Sequence, residues 1–94
     1  MTIRIVEMRA APGRRREFLA LCREGVPRAV QAGCLHAEIL ADADDPDIFV
    51  VMERWPSEEV FQAFAATEWA DKTLMMKYGE LAVGAPRLRR FEAT

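Results

Sequence analysis

Asp47-Ile48-Phe49-Val50-Val51-Met52-Glu53-Arg54-Trp55, followed at once by Pro56-Ser57-Glu58-Glu59, is the stretch whose reading decides the fold. Ile48 to Met52 is unbroken apolar sequence containing Val and Phe, which reads as a strand covered on both faces; a strand with one wet face would alternate. Trp55-Pro56 stops it, because proline cannot donate to a ladder and forces its predecessor extended. Ser57 has the side chain to cap a helix, and Glu58 and Glu59 fall in the first turn, where negative charge suits the dipole. A doubly covered strand therefore turns sharply into a helix.

On the N-terminal side of this strand, Asp42-Ala43-Asp44-Asp45-Pro46-Asp47 carries four carboxylates and a proline. It lacks the glycine and the distal glutamate of a calcium-binding EF-hand loop and reads as a hairpin loop. Cys34 to Leu40 is the strand before it, opened by Gly33. Further back, Phe18, Leu21, Cys22, Val26, Ala29 and Val30 recur at helical spacing, which predicts an amphipathic helix from Arg14 to about Gln31. Gly25 and Pro27 predict a kink or an early end to it. Arg14, Arg15 and Arg16 stand at the wrong end for the helix dipole and read as solvated or intersubunit charge. Ile3 to Met8 is a first strand, apolar at Ile3 and Ile5 on one face and at Val6 and Met8 on the other.

On the C-terminal side, Ser57 to about Ala66 is a short helix with Phe61, Phe64 and Ala65 on one face. Thr67 is placed to cap a second helical segment running to about Val83, with Trp69, Met76 and Leu81 inward. Gly84-Ala85-Pro86 breaks it, and Leu88 to Phe91 is a last strand. The order strand, helix, strand, strand, helix, strand implies an α+β fold, a ferredoxin-like sheet of antiparallel strands with helices on one face. Two helices cover only one face, while the first and third strands are apolar on both. The simplest cover for the bare face is a second copy, so a homodimer through the open sheet face is expected.

The totals fit one domain over residues 1–94. Of these 94 residues 51% are hydrophobic and 30% charged, and the net charge of −2 gives no pull toward nucleic acid or anionic membrane. No RNP-type aromatic strand appears, so no nucleic-acid partner is expected. No apolar run is long enough to span a bilayer, so no membrane partner is expected either. Met1-Thr2-Ile3-Arg4 leads straight into strand-like sequence without a signal-peptide core, which favours the cytoplasm. Cys22 and Cys34 form no CxxC pair, and with the one histidine, His36, they make no metal set. A GxSxG motif and a glycine-rich phosphate loop are both absent.

What remains is an aromatic and methionine-rich zone: Phe61, Phe64, Trp69, Met75, Met76 and Tyr78, facing Met8 and part of Phe49 to Trp55. It reads either as core or as a pocket for a flat apolar molecule, and a helical region split in two favours the pocket, because two segments can part over a cavity. His36 reads as a polar residue at a strand or dimer edge, or as a general base. Glu53 follows a buried run directly; facing inward it needs a partner, with Arg4, Arg54, Arg89 and Arg90 as candidates, or it is an acid or base with a raised pKa.

The residues Pro12-Gly13, Gly33-Cys34-Leu35, Asp45-Pro46 with Phe49, and Glu53-x-Trp55-x-Ser57 leading to Phe61 and Thr67, together resemble the antibiotic biosynthesis monooxygenase domain over nearly the whole chain. The resemblance implies a dimeric α+β barrel. It implies an activity among those of quinol monooxygenases, cofactor-free oxygenases of aromatic polyketides and haem-degrading oxygenases. The haem-degrading branch needs an Asn, a Trp and a His where this chain has Met8, Phe64 and Leu74, and quinol-oxidising relatives often carry histidines where it has Phe64 and Trp69. The expectation is therefore a cofactor-independent monooxygenase taking a small aromatic substrate and dioxygen, with no cofactor and no metal. Phe64, Trp69 and Tyr78 would hold the ring, Met8, Met52 and Met76 would line the walls with Trp55 and Phe61, and His36 or Glu53 would be the catalytic base. A non-catalytic ligand-binding dimer and a cofactor-free cyclase or isomerase are the alternatives on the same fold.

Overall fold

The computed structural model describes residues Met1–Thr94. The strands β1 (Thr2–Arg9), β2 (His36–Ala41), β3 (Ile48–Trp55) and β4 (Arg87–Glu92) form one antiparallel sheet in the order β2-β3-β1-β4. Three helices, α1 (Arg15–Gln31), α2 (Glu58–Ala70) and α3 (Lys72–Leu81), complete the ferredoxin-like α+β fold. The β1–β3 pair is central: Thr2 lies opposite Trp55, Arg4 opposite Glu53, Val6 opposite Val51 and Met8 opposite Phe49. Because successive side chains alternate faces, these eight residues share one side of the sheet. Phe49 and Trp55 are fully buried there against the helices. The other side carries Ile3, Ile5, Val50 and Met52 at its centre, with Leu40 and Phe91 on the flanking strands.

The core is in two pieces. Phe18, Leu21 and Cys22 of α1 pack with Phe49, Leu74 and Leu81 in one. Ala29, Cys34 and Trp55 form the other, with Val60, Phe61 and Phe64 of α2 packed against it. Trp55 meets Phe61 edge-on at 5.6 Å and Phe64 at 5.2 Å between ring centroids, separations at which aromatic pairs attract.

Ser57 caps α2 as its sequence position suggests, its hydroxyl accepting from the Val60 N–H at 3.3 Å. The second helical break falls at Asp71 and not at Thr67. Thr67 lies inside α2, its hydroxyl donating to the Phe64 carbonyl at 2.7 Å, while the Asp71 carboxylate accepts from the Leu74 N–H at 3.0 Å and starts α3. This shift also resets the inward face. Leu74 and Leu81 are buried, with Met75 and Tyr78 packed beside them, whereas Met76 is 62% exposed and Trp69, now on α2, is 61% exposed. At the other end of the chain α1 runs through Gly25 and Pro27 to Gln31, so the early end expected there does not occur.

The arginine run is held by local partners: Arg14 pairs with Glu17 at 2.8 Å, and Arg15 donates to the Pro46 carbonyl at 2.8 Å. The acidic loop is closed by its own backbone, Asp42 accepting from the Asp44 and Asp45 N–H groups and Asp45 pairing with Arg9 at 2.9 Å. No helix is long and apolar enough to cross a membrane.

The position of the cap is directly testable. Asp71→Ala removes the α3 cap and should cost about 1 kcal/mol in urea unfolding, while Thr67→Ala, inside a helix, should stay within about 0.5 kcal/mol of the parent. The reverse ranking would return the break to Thr67.

Candidate functional site

Between the two core pieces, over the middle of the helix-facing side, lies a cavity of about 540 Å³. Its position follows from the row Phe49, Val51, Glu53, Trp55 on β3. The two ends of the row are locked into the separate cores, while Val51 and Glu53 between them line the cavity. Phe61, Phe64, Glu68 and Trp69 line it from α2, Met75 and Tyr78 from α3, and Cys22, Gly25 and Val26 from α1. The break at Asp71 lets α2 follow one core and α3 the other, and the gap between them is the cavity.

Of the residues singled out from sequence, the cavity brings together Met8, Glu53, Phe61, Phe64, Trp69 and Tyr78. The other four lie elsewhere. Met52 points to the opposite side of the sheet, since its neighbours Phe49, Val51 and Trp55 of odd number face the helices and it does not. His36 is also on that opposite side, on the edge strand β2, where it is exposed and its Nε2 lies 2.6 Å from Glu38 Oε1. Met76 faces solvent. Trp55 is fully buried beside Phe61 and Phe64 and does not line the cavity; its indole N–H instead meets Glu53, which does.

That N–H donates to Glu53 Oε1 at 3.2 Å, and it is the partner Glu53 finds in place of an arginine. Arg4, the nearest candidate across the β1–β3 ladder, pairs instead with Glu58, and its guanidinium lies 4.1 Å above the Phe61 ring. Burial pushes the Glu53 carboxyl above the ordinary carboxylate range, and the nearby Glu68 charge adds to this. The Trp55 hydrogen bond and the Arg4 charge offset part of the shift.

Sequence reasoning missed two residues here, Glu68, which lines the cavity, and Arg28, which holds it from behind. Arg28 of α1 holds both Glu68 oxygens through its Nε at 3.3 and 3.2 Å and its Nη2 at 3.1 Å. Glu68 is four residues beyond Phe64 and seven beyond Phe61, so helical spacing alone would have put it on the cavity face. Tyr78 and Cys22 are the remaining titratable groups, and burial pushes them up to about 12 and about 11. Both are neutral at physiological pH, which leaves Glu53 as the cavity group poised to exchange a proton.

A carboxylate on an apolar wall costs stability, and the sign of that cost is fixed. Burial makes the folded chain hold the Glu53 proton more tightly than the unfolded chain, whose reference value is 4.5. The contribution is therefore complete below the unfolded value and lost as pH rises through the folded one. Glu53→Gln keeps an oxygen for the Trp55 N–H, so it should raise the urea midpoint at about pH 8 and leave it nearly unchanged at about pH 4. A gain confined to low pH would contradict the assignment.

The family model described as antibiotic biosynthesis monooxygenase matches residues 1–73. A comparison with curated proteins finds no match. Among solved structures, one described as an antibiotic biosynthesis monooxygenase superposes with a TM-score of 0.85 at 24% identity, covering 100% of this chain and 99% of its own. A candidate antibiotic biosynthesis monooxygenase from Deinococcus radiodurans gives 0.88 at 19% identity, covering 100% and 93%. Another from Nitrosomonas europaea gives 0.86 at 19%, covering 99% and 98%. At these identities the structures share the fold.

Proposed function

This chain belongs to the antibiotic biosynthesis monooxygenase family, and we propose that its cavity binds a small electron-rich aromatic compound and oxidises it with dioxygen, using no metal or flavin. The observation that carries the reading is a carboxylate of raised proton affinity, Glu53, on the wall of a largely apolar chamber of ligand size. Phe61, Phe64 and Trp69 offer ring faces to a flat substrate.

The chemistry is that of a phenol or quinol whose ring carbon can become a ketone. Glu53 takes the hydroxyl proton, and the resulting anion gives one electron to dioxygen. Superoxide and the ring radical then join through a new C–O bond to give a peroxide, which takes up a proton. The ring carbon loses its own hydrogen as a proton, the O–O bond breaks, and water leaves. One oxygen atom stays on the ring as a carbonyl and the other becomes water. The ring supplies all four electrons, so no separate reductant enters. Arg4, close to Glu53 across the ladder but paired with Glu58, contributes part of the charge that stabilises the anion.

The functional unit in this proposal is a homodimer through the open sheet face. Ile3, Ile5, Val50 and Met52 form the apolar centre of that face, bounded by Arg54, Arg89 and Glu7. A patch of this kind rimmed by charge suits a second copy of itself. His36 stands at its edge and takes part in that contact in place of catalysis.

Oxygen uptake with a panel of hydroquinones and anthrones checks the chemistry. Uptake should appear with at least one of them, and Glu53→Gln should lower kcat by about 100-fold or more, the usual scale for a lost general base, while His36→Gln leaves it unchanged. No uptake across the panel, or full activity in Glu53→Gln, contradicts the proposal. Sedimentation velocity checks the assembly: the parent chain should run as a dimer and Ile5→Lys as a monomer.

A further inference from the structure

The charges around the cavity do not balance, and the imbalance bears on what it accepts. Five charged residues line it: Arg4, Arg9, Arg89, Glu53 and Glu68. Arg9 lies opposite Ile48 and Arg89 opposite Ile5, so both side chains project to the open side of the sheet, where Arg9 pairs with Asp45 and Arg89 lies 4.7 Å from the Phe91 ring. Arg4 pairs with Glu58, which it shares with Arg90 at 3.9 Å, and its buried Nε makes no hydrogen bond; Glu68 is neutralised by Arg28. Glu53 alone has no cation of its own. Its Oε1 takes the Trp55 N–H, and no hydrogen bond within the chain engages its Oε2.

We infer that the chamber selects an uncharged hydroxylated ring, received at Glu53 Oε2, and discriminates against rings bearing a carboxylate or another fixed anion. This rests on the reading of the chamber as a ring-binding site and narrows its substrate class. The walls tolerate one negative charge, which begins on Glu53 and passes to the ring when the hydroxyl proton is transferred. A neutral ring keeps the total at one throughout. An anionic ring would bring a second charge into an apolar space where the Arg4 and Arg28 guanidinium groups already pair with Glu58 and Glu68.

Groups facing Glu53 from the surrounding elements supply only part of a counter-charge. β1 offers Arg4, which pairs with Glu58 and offsets the burial of Glu53 only in part. β4 offers Arg90 beside the same Glu58, and β2 offers Ala37 directly opposite. From α2 comes the paired Glu68, and from α3 and α1 the neutral Tyr78 and Cys22, with Arg28 held by Glu68.

Anaerobic titration calorimetry with 2-naphthol and 6-hydroxy-2-naphthoate tests this, since the two rings differ by one carboxylate and neither is turned over without dioxygen. At about pH 8 the naphthol should bind about tenfold tighter or more, and in Glu53→Gln the ratio should fall to about twofold. In the parent chain the ratio should grow as pH rises from about 4 to about 8 and Glu53 loses its proton, which decides the matter even if the variant does not fold. Equal affinity for the two rings, or a ratio indifferent to both pH and Glu53→Gln, overturns the inference. Binding of neither ring overturns it together with the proposed function. Discrimination without oxygen uptake on any substrate leaves it standing and removes only the oxidation.

Discussion

The alternation of side chains along β3 is the constraint on which the rest of this molecule depends. Phe49, Val51, Glu53 and Trp55 must share a face because strand geometry has a period of two, and the two aromatic ends of that row are fully buried. Each end draws a helix to itself. Phe49 collects α3 and the front of α1, while Trp55 collects α2 and the back of α1. Two anchors about six residues apart on an extended strand stand roughly 20 Å from one another, more than a single close-packed cluster of their side chains spans. The middle of the row is left facing a space, and the residue that fills one position of that middle is an acid.

Local rules agree with one another almost everywhere in the chain and are broken at Glu53. Apolar patterning, capping at Ser57 and Asp71, and closure of the acidic loop all favour the same fold. A carboxylate facing helices without a cationic partner does not. Trp55 offsets part of the cost by giving its only donor to Oε1, and this uses a core residue to orient a cavity residue. Departures of this kind concentrate where a protein handles ligands, because a site must hold groups that an optimised core would exclude.

Much of this was legible in the residues. All four strands, the long first helix and the split second helical region can be read from periodicity and punctuation, and Pro56-Ser57 marks the strand-to-helix turn without ambiguity. The aromatic zone read from Phe61, Phe64 and Tyr78 does line the cavity. Local sequence could not choose between Thr67 and Asp71 as the break, since both side chains can cap a helix. The choice was made by which face had to meet Leu74 and Leu81. Met52 was misplaced because an unbroken apolar run hides its own parity, although counting by twos from Trp55 would have put Met52 on the far side. The Arg28–Glu68 pair joins residues forty positions apart, and only the folded chain shows that α1 and α2 meet there.

The claim at the centre is that Glu53, a carboxylate of raised proton affinity on an apolar wall, takes a proton from a bound ring. A carbon-detected NMR titration of the side-chain carboxyls, with Glu53 assigned through Glu53→Gln, measures this directly. The account predicts a Glu53 midpoint above its reference of 4.5 that shifts when 2-naphthol, bound without dioxygen, donates its hydroxyl to the carboxylate. A midpoint at or below that reference, unmoved by the ring, would contradict it.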